Sequence, residues 1–131
     1  ARHFILSCGH PEALHRLAEA VPSLPIGFDP CHEGAIDRLL ATSDFTGFVD
    51  GAVAQFPSAE MIYLDHRLAL SAAEHDFDLI GAFHDRGKRI DAYTLKSADA
   101  ADVVIAEQLL EMGADQITTD DPVGLEELLS R

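Results

Sequence analysis

HDRGKRIDAYTL, residues 84–95, and GADQITTDDP, residues 113–122, decide the fold between them. Arg89–Leu95 and Gln116–Thr119 are short runs rich in Ile, Tyr and Thr. Between them Ala101, Val104, Ile105, Leu109 and Met112 recur at helical spacing, and Gly113 is placed to end the helix. Strand, helix, strand at this spacing predicts a right-handed βαβ unit and a parallel sheet. Parallel α/β proteins place their chemistry where the strands end. Tyr93, Thr94 and Lys96 follow one strand in this way, and Thr118, Thr119, Asp120 and Asp121 the other.

Working outward, three more apolar runs (residues 3–8, 25–28 and 61–64) alternate with helical patterns. Pro11 suits a first helical turn, with Ala13, Leu14, Leu17 and Val21 following at helical spacing. Residues 33–40 read as a helix, and residues 44–56 as an irregular one broken by Gly47 and Gly51. Ser71 with Glu74 forms a capping box for a helix that Gly87 ends, and Ser97 is placed to cap the next. A last helix runs from about Pro122 to Leu129, with Asp121 as its cap.

At 131 residues, 47% hydrophobic and 24% charged, the chain is one domain's length and has enough apolar material for a core. No stretch approaches the roughly 18 apolar residues of a membrane span, and no secretory leader is visible. The net charge of −14 excludes nucleic acid as a partner, since phosphate backbones demand Lys/Arg clusters. Lys88 and Lys96 are the only lysines. Two cysteines are too few for a disulfide framework, and the expected compartment is the cytoplasm.

In a parallel sheet Ser7, Cys8 and His10, then Asp29, Cys31 and His32, then Asp65 and His66 share one end with Tyr93 and Lys96. Cys8, His10, Cys31, His32 and His66 are therefore candidates for a zinc site, although their spacing matches no standard ligand motif. The competing readings are small thiols among loop histidines, or a Cys8–Cys31 disulfide. The His84-Asp85 pair falls at a helix end before a strand, so His84, with Arg86 and Lys88, complements the helix dipole rather than performing catalysis. Alternation on Arg89–Leu95 sends Asp91, Tyr93 and Leu95 to the face opposite Ile90, Ala92 and Thr94, where a pocket would lie. Tyr93 then either flanks a ligand or packs in the core; Lys96 is a phosphate contact or a solvated lysine.

The segment Ser7-Cys8-Gly9-His10-Pro11-Glu12-Ala13-Leu14 resembles the Ser-Ser-Phe-Asp-Pro-Glu-x-Leu segment of glycerophosphodiester phosphodiesterases. His84, Gly87, Ile90 and Tyr93-Thr94-Leu95-Lys96 are similar to that family's helix-end His and Gly and its Trp-Thr-Val-Asn strand. Residues 113–122 resemble its closing Gly-Val-Asp-Gly-Ile-Ile-Thr-Asp-x-Pro. The resemblance implies a TIM (β/α)₈ barrel of the PLC-like phosphodiesterase type, of which this chain supplies the fourth to eighth strands. It further implies hydrolysis of glycerophosphodiesters to glycerol 3-phosphate and an alcohol, with carboxylate-held Mg²⁺ or Ca²⁺ and two histidines as acid and base.

Those acid, base and metal groups belong to the family's first three strands and have no counterpart here, so no catalytic residue is expected in this span. Its expected substrate contacts are Ser7, Tyr93, Lys96 and Thr119. Gly9 and Tyr93 replace usual aromatics, and Lys96 replaces a usual Asn, a change that favours an anionic headgroup. Five strands cannot close a barrel, which leaves two edges and an expected apolar inner face. The expected partners are thus a glycerophosphodiester and either a second copy or the missing N-terminal half. The alternative function is a non-catalytic barrel remnant acting as a binding or oligomerisation module.

Overall fold

The structure, a computed structural model, describes residues 5–8 (backbone alone at Leu6 and Cys8), 10–31 and 34–130. Gly9 and His32 thus lie outside the described residues, as does the Cys8 side chain. The strands are β1 (Leu6–Cys8), β2 (Ile26–Phe28), β3 (Met61–Asp65), β4 (Arg89–Leu95) and β5 (Gln116–Thr119). The helices are α1 (Pro11–Ala20), α2 (Ala35–Thr42), α3 (Phe45–Gln55), α4 (His66–Glu74), α5 (Leu79–His84), α6 (Ala100–Glu111) and α7 (Pro122–Leu129). All strand pairings are parallel, in the sequence order β1-β2-β3-β4-β5. Every strand therefore ends on the same edge of the sheet.

Aspartates start most of the helices. Asp44, Asp65, Asp78, Asp99 and Asp121 cap α3 to α7, each accepting a hydrogen bond from a first-turn N–H. Part of the acid excess is thus spent on orphan helix donors and on the positive end of the helix dipole. At α3, α5 and α7 the donor is a glycine N–H, from Gly47, Gly81 and Gly124. A Cβ at any of the three would meet the capping carboxylate at 2.1–2.3 Å, so the carboxylate would have to swing away from its bond.

These caps correct three sequence expectations. Gly47 and Gly51 do not break α3, because Phe45, Val49 and Ala52 are buried along its length and outweigh the roughly 1 kcal/mol cost of each glycine. Ser71 lies inside α4 rather than at a helix start, since Asp65 at the very end of β3 already caps that helix. The helix stops at Glu74, Asp76 takes a φ of +58° in the turn beyond it, and Asp78 starts α5 afresh. Asp99, not Ser97, caps α6; the Ser97 N–H and hydroxyl instead donate to Asp102 Oδ2.

The core lies on one face of the sheet, where Phe28, Ile62, Leu64, Ile90 and Ala92 pack against helix residues such as Leu14, Leu39, Phe83 and Leu109. Leu95, Ala106 and Leu125 form a smaller cluster beneath α6 and α7. Leu95 thus leaves the face expected for it, because the pairing with β5 slips between Ala92 and Leu95 and breaks the alternation.

The opposite face is a second correction, for it is largely polar rather than apolar. Ser7, Asp29, Tyr63, Asp91, Tyr93 and Thr118 meet there through their side chains. The physical reason is cross-strand partnering. Asp91 has no exposed surface, yet it accepts hydrogen bonds from Gln116 Nε2 at 2.6 Å and Thr118 Oγ1 at 2.8 Å. A buried carboxylate is tolerable when its lone pairs are filled in this way. Among the described residues no buried side-chain polar atom lacks a partner.

Candidate functional site

At the strand C-terminal ends, β2, β3 and β4 are joined by polar contacts. The Tyr93 hydroxyl donates to Asp29, 3.0 Å from Oδ2 and 3.2 Å from Oδ1. Asp29 also accepts from the Cys31 N–H at 2.8 Å. Cys31 Sγ in turn accepts from the Asp65 N–H at 3.4 Å. Burial, followed by the negative charges of Asp29 and Asp65, pushes the Cys31 thiol up to about 12. It is a free thiol, protonated at neutral pH.

Asp65 is gripped by Arg67. The guanidinium donates from Nε at 3.0 Å and from Nη2 at 2.6 Å, and the Arg67 N–H adds a third bond at 3.0 Å. Burial alone would raise the Asp65 carboxyl. The Arg67 bonds outweigh it and hold the group below its usual value. Burial raises the Tyr93 phenol, and the neighbouring Cys31 and Asp29 raise it further, so its hydroxyl stays a donor.

His66 opens α4 and turns back to β4, with Nδ1 2.8 Å from the Tyr93 carbonyl oxygen. A carbonyl oxygen only accepts, so Nδ1 carries the proton, and in the neutral ring Nε2 holds the lone pair. Beyond these groups lies an open cavity of about 540 Å³, lined by Asp65, His66, Arg67, Tyr93, Thr94, Leu95, Lys96, Ser97 and Asp102.

Two of the four expected substrate contacts, Tyr93 and Lys96, therefore share one cavity. Ser7 is exposed on β1 and hydrogen-bonds Tyr63 instead. Thr119 Oγ1 accepts from the Asp121 N–H at 3.1 Å, which ties it to the turn before α7. Of the candidate zinc ligands, His10 caps α1 by accepting from the Ala13 N–H, while His66 and Cys31 point to separate backbone partners. Among the described residues no three His, Cys, Asp or Glu side chains gather to hold a metal.

Arg67 and the His66–Tyr93 contact were missed by sequence reasoning. The signal available was the Asp-His-Arg run directly after β3, a cap followed by two basic groups in the first helical turn. His84 lies at the other end of the sheet, as expected, with Nε2 2.8 Å from Asp115 Oδ2. Arg86 and Lys88 do not serve that helix end. Arg86 binds Asp50, and Lys88 donates to the carbonyls of Pro57 and Ala59 across the loop before β3.

No protein-family model matches the chain, and no curated protein is found to be similar to it. Solved structures do match. One is the protein assigned as a glycerophosphoryl diester phosphodiesterase from Silicibacter pomeroyi, with a TM-score of 0.62 and 18% identity over 96% of this chain and 37% of that one. Another is a glycerophosphodiester phosphodiesterase from Parabacteroides distasonis, with a TM-score of 0.59 and 13% identity over 95% of this chain and 42% of that one. The parallel α/β fold is thus shared with part of these phosphodiesterase barrels. The chain spans about two fifths of the length of either protein.

Proposed function

We propose that β1 to β5 are the fourth to eighth strands of a phosphodiesterase-type TIM barrel, and that this span forms the substrate-side wall of its site. The complete barrel would hydrolyse glycerophosphodiesters to glycerol 3-phosphate and an alcohol. The observation that carries this reading is the gathering of Tyr93, His66, Arg67 and Lys96 around one cavity at the strand C-terminal ends of a fold shared with phosphodiesterases.

The described residues do not fit a Mg²⁺ or Ca²⁺ ion. Asp29 is engaged by Tyr93, Asp65 by Arg67, and Asp91 by Gln116 and Thr118. The metal carboxylates and the acid and base histidines are therefore assigned to other strands. What this chain's own groups do is bind and orient: Tyr93 offers an aromatic wall fixed by Asp29, and Lys96 offers a charge at the rim.

The test is release of glycerol 3-phosphate from glycerophosphocholine with Mg²⁺ or Ca²⁺. Activity is expected only when a segment carrying the remaining strands is supplied. Turnover by residues 1–131 alone would overturn this division of labour. Among the described residues β1 and β5 each pair on one side only, which favours association with a second copy or with that segment. Sedimentation should then find species larger than the 14.2 kDa monomer.

A further inference from the structure

We infer that the cavity between the ends of β3 and β4 is a binding site for a small phosphate-monoester anion, with Lys96, Arg67 and His66 Nε2 as its ligands. The inference rests on the reading of this cavity as the substrate-side wall and deepens it, but it requires neither metal nor turnover. It begins with which polar atoms at the cavity are already used.

Both carboxylates of the lining are occupied. Asp65 receives three hydrogen bonds from Arg67, and Asp102 Oδ2 receives the Ser97 N–H and hydroxyl at 2.9 Å each. Their capacity to repel an anion is reduced by the donors they already hold. The basic groups are in the opposite position. Among the described residues, Lys96 makes no hydrogen bond or ion pair, and Arg67 commits Nε and Nη2 to Asp65 but not Nη1. The Asp65 grip also fixes the guanidinium plane, so little side-chain entropy remains to be lost on binding.

His66 adds direction. Its Nδ1–H is held on the Tyr93 carbonyl, and Tyr93 is itself held by Asp29. The ring is therefore oriented before any ligand arrives, as in sites where a backbone carbonyl sets a histidine's tautomer. Nε2 makes no hydrogen bond among the described residues and belongs to a residue of the cavity wall. A neutral Nε2 accepts from the P–O–H of a monoanionic phosphate, and a protonated one donates to the dianion. A monoester offers the charge for Lys96 and Arg67 together with a group matched to either state.

The experiment titrates the protein with glycerol 3-phosphate, inorganic phosphate and uncharged glycerol by calorimetry, following the His66 ring nitrogens by NMR. Glycerol 3-phosphate should bind and shift Nε2 more than Nδ1, while glycerol should not bind. Inorganic phosphate binding as tightly as the ester would identify the source as free phosphate, with the same three ligands. His66→Asn keeps a donor where Nδ1 stood and deletes Nε2; Lys96→Met keeps the apolar stem and deletes the charge. Each should weaken binding by about tenfold or more, the worth of a charge-assisted hydrogen bond. Arg16→Gln, on exposed α1, should change nothing. Absence of binding by the parent protein, or equal binding by Lys96→Met, overturns the inference. If His66→Asn fails to fold, the exposed Lys96 variant decides alone. Hydrolysis assays do not enter, so failure here and failure of the phosphodiesterase reading are told apart.

Discussion

The two ends of the sheet use polar residues in opposite ways. At the N-terminal end Lys88, Asp115, His84 and Arg86 each close on another part of the chain. Lys88, 7% exposed, donates to the Pro57 and Ala59 carbonyls. Asp115 accepts from both His84 and the Ile90 N–H, and Arg86 binds Asp50. At the C-terminal end the carboxylates Asp29 and Asp65 are closed in the same manner, but Lys96, Arg67 Nη1 and His66 Nε2 are not. One end is built to hold the fold and the other keeps hydrogen-bonding capacity in reserve. A parallel sheet separates the two tasks because all its strand ends share a direction.

The comparison is tested hardest at Lys88. Lys88→Met keeps the stem in place and leaves two loop carbonyls without their donor. Unfolding in urea should show a loss of about 1–3 kcal/mol with an unchanged slope. An unchanged midpoint would mean that the N-terminal end is not where the stability is held.

Asp91 and Asp115 offer a sharper contrast, because their shifts have opposite signs. Burial raises the Asp91 carboxyl, only partly countered by Thr118 and Gln116. Its protonated form is favoured by folding, so stability falls as pH rises from the ordinary carboxylate value through the folded one. Burial also pushes on Asp115, but the Ile90 N–H and His84 win and lower it. Its contribution is present above the ordinary carboxylate value and is lost as pH falls through the folded one. From acid to neutral pH, Asp91→Asn should therefore gain on the parent as pH climbs above about 4, while Asp115→Asn should lose ground as pH climbs up to about 4. Thermal unfolding across that range reads both, and parallel curves for the two variants would remove the contrast.

Much of this architecture was legible in the residues. The alternation on Arg89–Leu95 and the 3.6-residue stripe from Ala101 to Met112 place β4 and α6, because each pattern is local and its period is fixed by backbone geometry. Ser71 with Glu74 was misread because the same pair occurs equally well inside a helix; only the end of β3 at Asp65 shows where α4 starts. The polar inner face was half legible. Alternation turns Asp91 and Tyr93 away from the core, but the Gln116 and Thr118 partners sit on another strand, 25 and 27 residues on, and depend on register. The same holds for the site. Tyr93 and Lys96 follow a strand and could be picked out, whereas the role of His66 rests on a carbonyl 27 residues away.

The smallest expected effects lie at the C-terminal end and complete the comparison. Tyr93→Phe removes one donor from Asp29, which keeps the Cys31 N–H, and should cost about 0.5–1.5 kcal/mol. Lys96→Met removes an exposed charge that nothing among the described residues uses, and stability should stay within about 0.5 kcal/mol of the parent. Equality in urea midpoint, set beside a loss of ligand affinity in the same variant, is what a residue kept for binding should give. A Lys96→Met protein destabilised as much as Lys88→Met would mean that both ends of the sheet are structural, and that the cavity holds no reserve.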